Sequence, residues 1–242
     1  MVTLPLSVRA VSFLEQQSNW LDLQRVSSDA SSVVNLDPVM DLPPSCVAAE
    51  SLQFAASEYV GLEVAVAGGV LHGTVQFLAP QRRGLIRTSA GSSVVRLARH
   101  TDAQCALTLS EDGEFGCSWA DDFWPLFDTL EAFVENSAAW ASFLGWHYSI
   151  ILDELEPGPV VQALGTPSLD ADASGQLSQW WRGPDFAIVA ERYLNPKRSA
   201  FPQISVLADG PSIASRLREQ LKSEFPGSAR TFAARTRGIV GR

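Results

Sequence analysis

Between Thr101 and Trp181 the chain contains no lysine and no arginine, although it has 18 basic residues in all. The same stretch carries 14 acidic side chains. Residues 1–100 are close to neutral, with 7 basic and 8 acidic side chains, and residues 182–242 carry 11 basic against 5 acidic. The net charge of −9 therefore arises in the middle of the chain. A long segment without positive charge repels nucleic acid and anionic membrane, and it attracts a basic partner. The same run also fits a solvated acidic face that only keeps the protein in solution.

Cysteine is scarce as well. Cys46, Cys105 and Cys117 form an odd set without a C-x-x-C pair. That argues against a disulfide framework and for a reducing compartment, with the three thiols as small buried hydrophobes. No apolar run approaches the roughly 18 residues of a membrane span. The opening segment, MVTLPLSVRAVSFLEQQ, has an arginine in its middle and no small-residue cleavage pattern. It does not read as a signal peptide, and a cytoplasmic protein with no membrane association is expected.

Catalytic signatures are missing too. There is no G-x-S-x-G elbow, no phosphate-binding glycine loop and no dinucleotide fingerprint. His72, His100 and His147 have no second ligand at metal-binding spacing. Paired acids such as Asp121-Asp122 and Asp153-Glu154 point in different directions on a helix or a strand. No catalytic residue, metal ligand or cofactor site is therefore assigned, and an enzyme is the least favoured reading. The C-terminal part is basic, but its tail carries a single aromatic, Phe232, so nucleic-acid binding is not expected either.

The 46% hydrophobic content is enough for a sizeable core. Val8, Val11 and Leu14 predict a helix within residues 6–26. Ser45 is placed to cap a second helix over 46–59, with Leu52, Ala55, Ala56 and Tyr59 on one face and Gly61 at its end. Leu62 to Ala67, the Gly68-Gly69 turn and Val70 to Leu78 predict a hairpin. Residues 92–100, SSVVRLARH, fit a short helix with Val94, Leu97 and Ala98 inward.

The centre of the chain is a second hairpin. Cys105, Leu107 and Leu109 alternate with Ala106 and Thr108. Glu111-Asp112-Gly113 is a turn, and Glu114 to Trp119 the returning strand. Asp121, Asp122 and Pro125 are expected to break the ladder. Asp128 then reads as the N-cap of a helix, with Glu131 three residues on and an inward stripe of Leu130, Phe133, Val134, Trp140, Phe143 and Leu144 up to Gly145.

Beyond residue 156 the chain begins with a Pro/Gly stretch, EPGPVVQALGTP, followed by a polar loop and the Trp180-Trp181 pair. Strands are predicted over Asp185 to Tyr193 and Gln203 to Leu207. A helix capped by Ser212 is predicted over Pro211 to Phe225. PGSARTFAARTRGIVGR, from Pro226 onward, reads as a mobile basic tail, or as a segment folded back on the acidic centre.

Two passages resemble the SUKH superfamily of bacterial immunity proteins, whose members include a yeast cell-wall regulator. The first is SLQFAASEYVGLEV (Ser51 to Val64), like that family's helix ending in glycine before the first strand. The second is VVRLARHTDAQCALTLSEDGEFGCSW followed by DTLEAFVENSA, like its short helix, strand, acidic turn, strand and helix. LPPS (Leu42 to Ser45) is similar to an N-terminal feature of some members. Val60-Gly61 stands where the family has an aromatic-glycine pair. The likeness covers about residues 43–146.

It implies an α+β fold, an antiparallel sheet flanked by helices, in a domain over 1–156. An α+β extension over 157–225 and the basic tail over 226–242 would follow. It also implies a non-catalytic immunity protein that binds and neutralises a cognate toxin, of the nuclease or deaminase type, by occluding its site. The alternative on the same fold is a regulatory or scaffold protein with a cellular partner. Partner-binding candidates follow from charge and loop position alone: Glu111, Asp112, Glu114, Asp121 and Asp122.

Overall fold

The computed structural model describes residues 6–17, 62–68, 71–78, 85–101, 106–119, 122–143, 146, 148–152, 154–175, 177–192, 201–226 and 229–233. Over these the protein is α+β, with two antiparallel sheets and four helices. The chain divides into two compact units, Met1–Ala141 and Ser142–Arg242. The boundary lies before residue 156, because the strand Tyr148–Leu152 hydrogen-bonds into the second sheet. The predicted helix over 46–59 lies outside the described residues.

The first unit opens with α1 (Val8–Glu15), shorter than the expected 6–26. Its N-cap is Ser7, whose hydroxyl accepts from the Ala10 N–H. The buried face is Ala10, Phe13 and Leu14, while Val8 and Val11 stay exposed. The apolar stripe is thus rotated from the one that valine spacing suggests. One acid explains the rotation. Glu135 accepts from the Ser7 hydroxyl at 2.7 Å, from the Ser7 backbone N–H, and from Arg9 at 3.1 Å. That clamp fixes which side of α1 faces inward.

Seven strands follow: β1 (Glu63–Val66), β2 (Gly73–Phe77), β3 (Leu85–Arg87), β4 (Ser93–His100), β5 (Ala106–Ser110), β6 (Phe115–Trp119) and β7 (Asp122–Phe127). Their order is β1-β2-β4-β5-β6-β7, with β3 also paired to β4. Both predicted hairpins form, and Gly113 takes the positive φ of 87° that the central turn requires.

Two expectations fail here for the same reason. Residues 92–100 are strand β4 and not a helix, with Leu97 as an extra residue where the register to β5 shifts between Arg96 and Ala98. A bulge resets the inside-outside alternation. Buried Val94, Val95, Leu97 and Ala98 around exposed Arg96 therefore mimic helical spacing. Nor do Asp122 and Pro125 end the ladder. Asp122 opens β7, and Pro125 is paired with Gly116 beside a second bulge between Phe115 and Gly116. Proline is tolerated at an edge or a bulge, and β7 is at both.

Strand β5 is also more buried than its alternation implies. Thr108 is fully buried and its hydroxyl lies 2.9 Å from that of Ser118. Helix α2 (Leu130–Ser142) follows β7. Its cap is Thr129 and not Asp128, because the Thr129 hydroxyl accepts from the Ala132 N–H. Leu130, Phe133 and Val134 are buried as predicted. Phe133 meets Phe115, Phe127 and Phe77 with ring centroids 5.0, 5.5 and 6.4 Å apart. This aromatic group joins α2 to the sheet. Leu144 and Gly145 lie outside the described residues.

The second unit is a six-stranded antiparallel sheet. Its strands are β8 (Tyr148–Leu152), β9 (Ser168–Leu169), β10 (Ser178–Arg182), β11 (Phe186–Glu191), β12 (Gln203–Ala208) and β13 (Ala229–Ala233), ordered β13-β8-β12-β11-β10-β9. The Pro/Gly stretch forms helix α3 (Pro157–Ala163), with Pro157 in the first turn, where no N–H partner is needed. Helix α4 (Pro211–Glu224) starts from Gly210 and Pro211 and not from a Ser212 cap. Val160 and Leu164 join Ala214, Leu217 and Leu221 against Ile150, Ile188, Ile204 and Val206 in one core.

The expected free tail is in part a strand. Residues 229–233 pair with β8, so this segment folds back onto the acidic part of the chain through the backbone ladder. Arg235, Arg237 and Arg242 lie outside the described residues. No described helix is long and apolar enough to cross a membrane.

Candidate acidic and aromatic surface on strands β6 and β7

Strand β6 connects the two acidic turns and so decides whether the predicted site residues meet. Glu111, Asp112 and Glu114 sit where β5 turns into β6. Asp122 sits at the opposite end, where β6 turns into β7. Asp121 lies outside the described residues. Five residues of strand separate the two ends, about 16 Å at ordinary rise per residue. Along the strand the predicted acids therefore form two groups, and one acid of each, Glu111 and Asp122, reaches the same β3–β4 turn.

At the first end Asp112 is exposed, and Glu111 and Glu114 are half-buried. The Glu111 carboxylate accepts from the Ser93 N–H at 3.1 Å. The Glu114 N–H donates to the Ser110 hydroxyl, and its carbonyl accepts from the Ser110 N–H. Partial burial pushes the Glu114 carboxyl above its ordinary range, and the negative charges of Asp112 and Asp128 add to the rise. Asp128 is thus a member that sequence reasoning missed. The residue signal was Thr129: once threonine takes the cap, the Asp128 carboxylate is left to the acidic group.

At the second end Asp122 accepts from the Ser89 hydroxyl at 2.7 Å. Ser89 and Ser93 flank one tight turn, in which the Thr88 N–H donates to the Ser92 carbonyl. Glu111 and Asp122, one from each acidic group, are therefore both held by the β3–β4 turn. The Ser89–Asp122 contact reaches across from β3 to β7, with three strands between them in the sheet order. The sheet must curl strongly to allow it.

Between the two acidic ends lie two exposed tryptophans. Trp119 pairs with Asp122 and Trp124 with Cys117, so all four side chains share one face. Trp119 is 56% exposed and Trp124 38%, although this is the face on which Leu107, Leu109 and Phe115 are fully buried. No described strand pairs with the outer edge of β7. Sequence reasoning assigned neither tryptophan a role; the signal was two tryptophans five residues apart on either side of Asp121-Asp122.

Asp170 and Arg182 are occupied structurally. Asp170, 8% exposed, binds Arg182 at 2.5 Å, and the Arg182 guanidinium lies 4.8 Å from the Phe143 ring centre. Phe143 stacks on buried Trp180 at 5.7 Å. This is a packed cluster within the second unit. A shallow depression of about 110 Å³ in that unit is lined by Glu156, Gln179 and Arg192 with Leu177 and Ala190. It is well below the roughly 300–1,000 Å³ of typical small-molecule sites. Among the described residues no group of three His, Cys, Asp or Glu side chains is arranged to hold a metal. No family model, curated protein or solved structure matches this chain.

Proposed function

We propose that this chain is a cytoplasmic, non-catalytic immunity protein that binds a cognate bacterial toxin of basic nuclease or deaminase type and occludes its site. One observation carries the reading. The β5–β7 region presents acids at both ends of one hairpin, within a stretch that has no lysine or arginine. Hydrogen bonds to the Ser93 backbone and the Ser89 side chain fix two of these acids on a rigid sheet. Pre-positioned charge of one sign steers a basic partner and sets its orientation, with little ordering cost on contact. A toxin that holds nucleic acid is basic where it does so, and that is the surface an acidic partner covers. The SUKH resemblance supports the same reading through its strand, acidic turn, strand and helix over 106–142, although its short helix at 92–100 is strand β4 here.

A toxin gene directly upstream of this chain's own would support the reading, and co-expression with that toxin provides the test. The reading predicts restored growth, and loss of rescue when Asp112 and Asp122 are both changed to lysine. Failure of the folded parent chain to restore growth contradicts it. Binding to a cellular protein by the same acids, without any toxin, would instead identify a regulatory or scaffold role.

A further inference from the structure

The acids alone do not account for the surface between them. Two tryptophans are exposed on the core-side face of a sheet, beside an edge strand, where burial would be the default for so much apolar area. On β7, Asp122, Trp124 and Pro125 are exposed and Phe123 is half-buried, whereas Leu126 and Phe127 are buried. An accessible edge that also displays tryptophan is a template for an added strand. Tryptophan is the strongest aromatic partner for a cation and a frequent anchor at protein interfaces.

We propose that the outer edge of β7 receives an extended, arginine-bearing segment of the basic partner. Its guanidinium groups lie over Trp119 and Trp124, and its flanking charges face Asp122 at one end and Asp112, Glu114 and Asp128 at the other. Arginine fits because it stacks on aromatic faces and pairs with carboxylates with the same planar group. A second copy of this chain fits poorly. Pairing β7 with itself would bring two hairpins without positive charge into register, with like charges opposed. The identification of the partner as a toxin rests on the function proposed above, whereas the recognition chemistry of the edge does not.

The test uses the full chain and a fluorescently labelled octapeptide of alternating arginine and threonine. An alternating glutamate and threonine peptide is the control. The parent chain is expected to bind the arginine peptide in a salt-dependent manner and to ignore the acidic one. Trp119→Ala and Trp124→Ala each weaken binding by about tenfold, and Trp124→Phe retains most of it because the ring face remains. Unchanged thermal melts show that the variants are folded.

Equal affinity for parent and alanine variants overturns the proposal, as does the absence of binding to the arginine peptide. A parent chain that sediments as a dimer, and whose tryptophan variants are monomers, assigns the face to a second copy and also overturns it. The variants are then measured against the toxin of the function proposed above. Toxin binding that ignores the tryptophans removes the edge and keeps the immunity function. Peptide binding without toxin binding does the reverse.

Discussion

Glu114 and Glu135 are both acids of the same hairpin-and-helix unit, and they play opposite parts. Partial burial and two neighbouring carboxylates raise the pKa of Glu114. A carboxyl whose folded value lies above its unfolded one stabilises the fold fully below the ordinary value of 4.5. That contribution is lost as the pH rises through the raised value. Glu114→Gln should remove this dependence and change stability near neutral pH by about 0.5 kcal/mol or less. Urea midpoints for parent and variant between about pH 4 and pH 7 check it; parallel curves would show that Glu114 is not perturbed.

Glu135 is buried and clamps α1 through Ser7 and Arg9. Glu135→Ala should cost about 3 kcal/mol, since buried donors lose their acceptor. Hydrogen exchange over residues 6–17 should speed up at the same time. The exposed Lys222–Glu219 pair makes the contrast, and Glu219→Ala should stay within about 0.5 kcal/mol.

At the level of elements, the fate of the C-terminal segment is the sharpest case. Strand β13 covers the edge of β8. Deleting residues 227–242 should lower the stability of the second unit by roughly 2–4 kcal/mol. It should also expose β8 as an unpaired edge that promotes association. Denaturation midpoints and sedimentation report both effects. A deletion without consequence would mean the tail is free, as its composition suggests.

Regular elements were legible wherever hydrophobic spacing kept one phase. The two hairpins of the first unit, the helix over 130–142 and the helix over 211–224 are cases of this. Bulges concealed the rest. One extra residue at Leu97 turned a strand into an apparent helix, and the bulge before Gly116 allowed Pro125 into a ladder. Local cap competition also misled, since Asp128 is by type the better cap and only the observed hydrogen bond assigns the role to Thr129. The acidic candidates were visible as charge. Their division between the two ends of β6, and the exposure of Trp119 and Trp124, depend on pairing register and cover, which composition does not encode.

For the molecule as a whole, the informative quantity is where the charge sits. Of the acids in the lysine- and arginine-free stretch, Glu135 and Asp170 are joined to arginines from outside it. The acids around β6 and β7 have neutral hydrogen-bonding partners in Ser89 and Ser93. The hairpin-end acids therefore contribute unneutralised charge to the field met by a partner, and such a field acts on encounter more than on residence. The most direct test is the association rate of this chain with its basic partner, the toxin proposed above, followed against salt concentration. A fast, strongly salt-dependent on-rate is expected, falling by about tenfold when Asp121 and Asp122 are changed to lysine, with a much smaller change in the off-rate. An unchanged on-rate with unchanged salt dependence, or no association at all, would contradict that expectation.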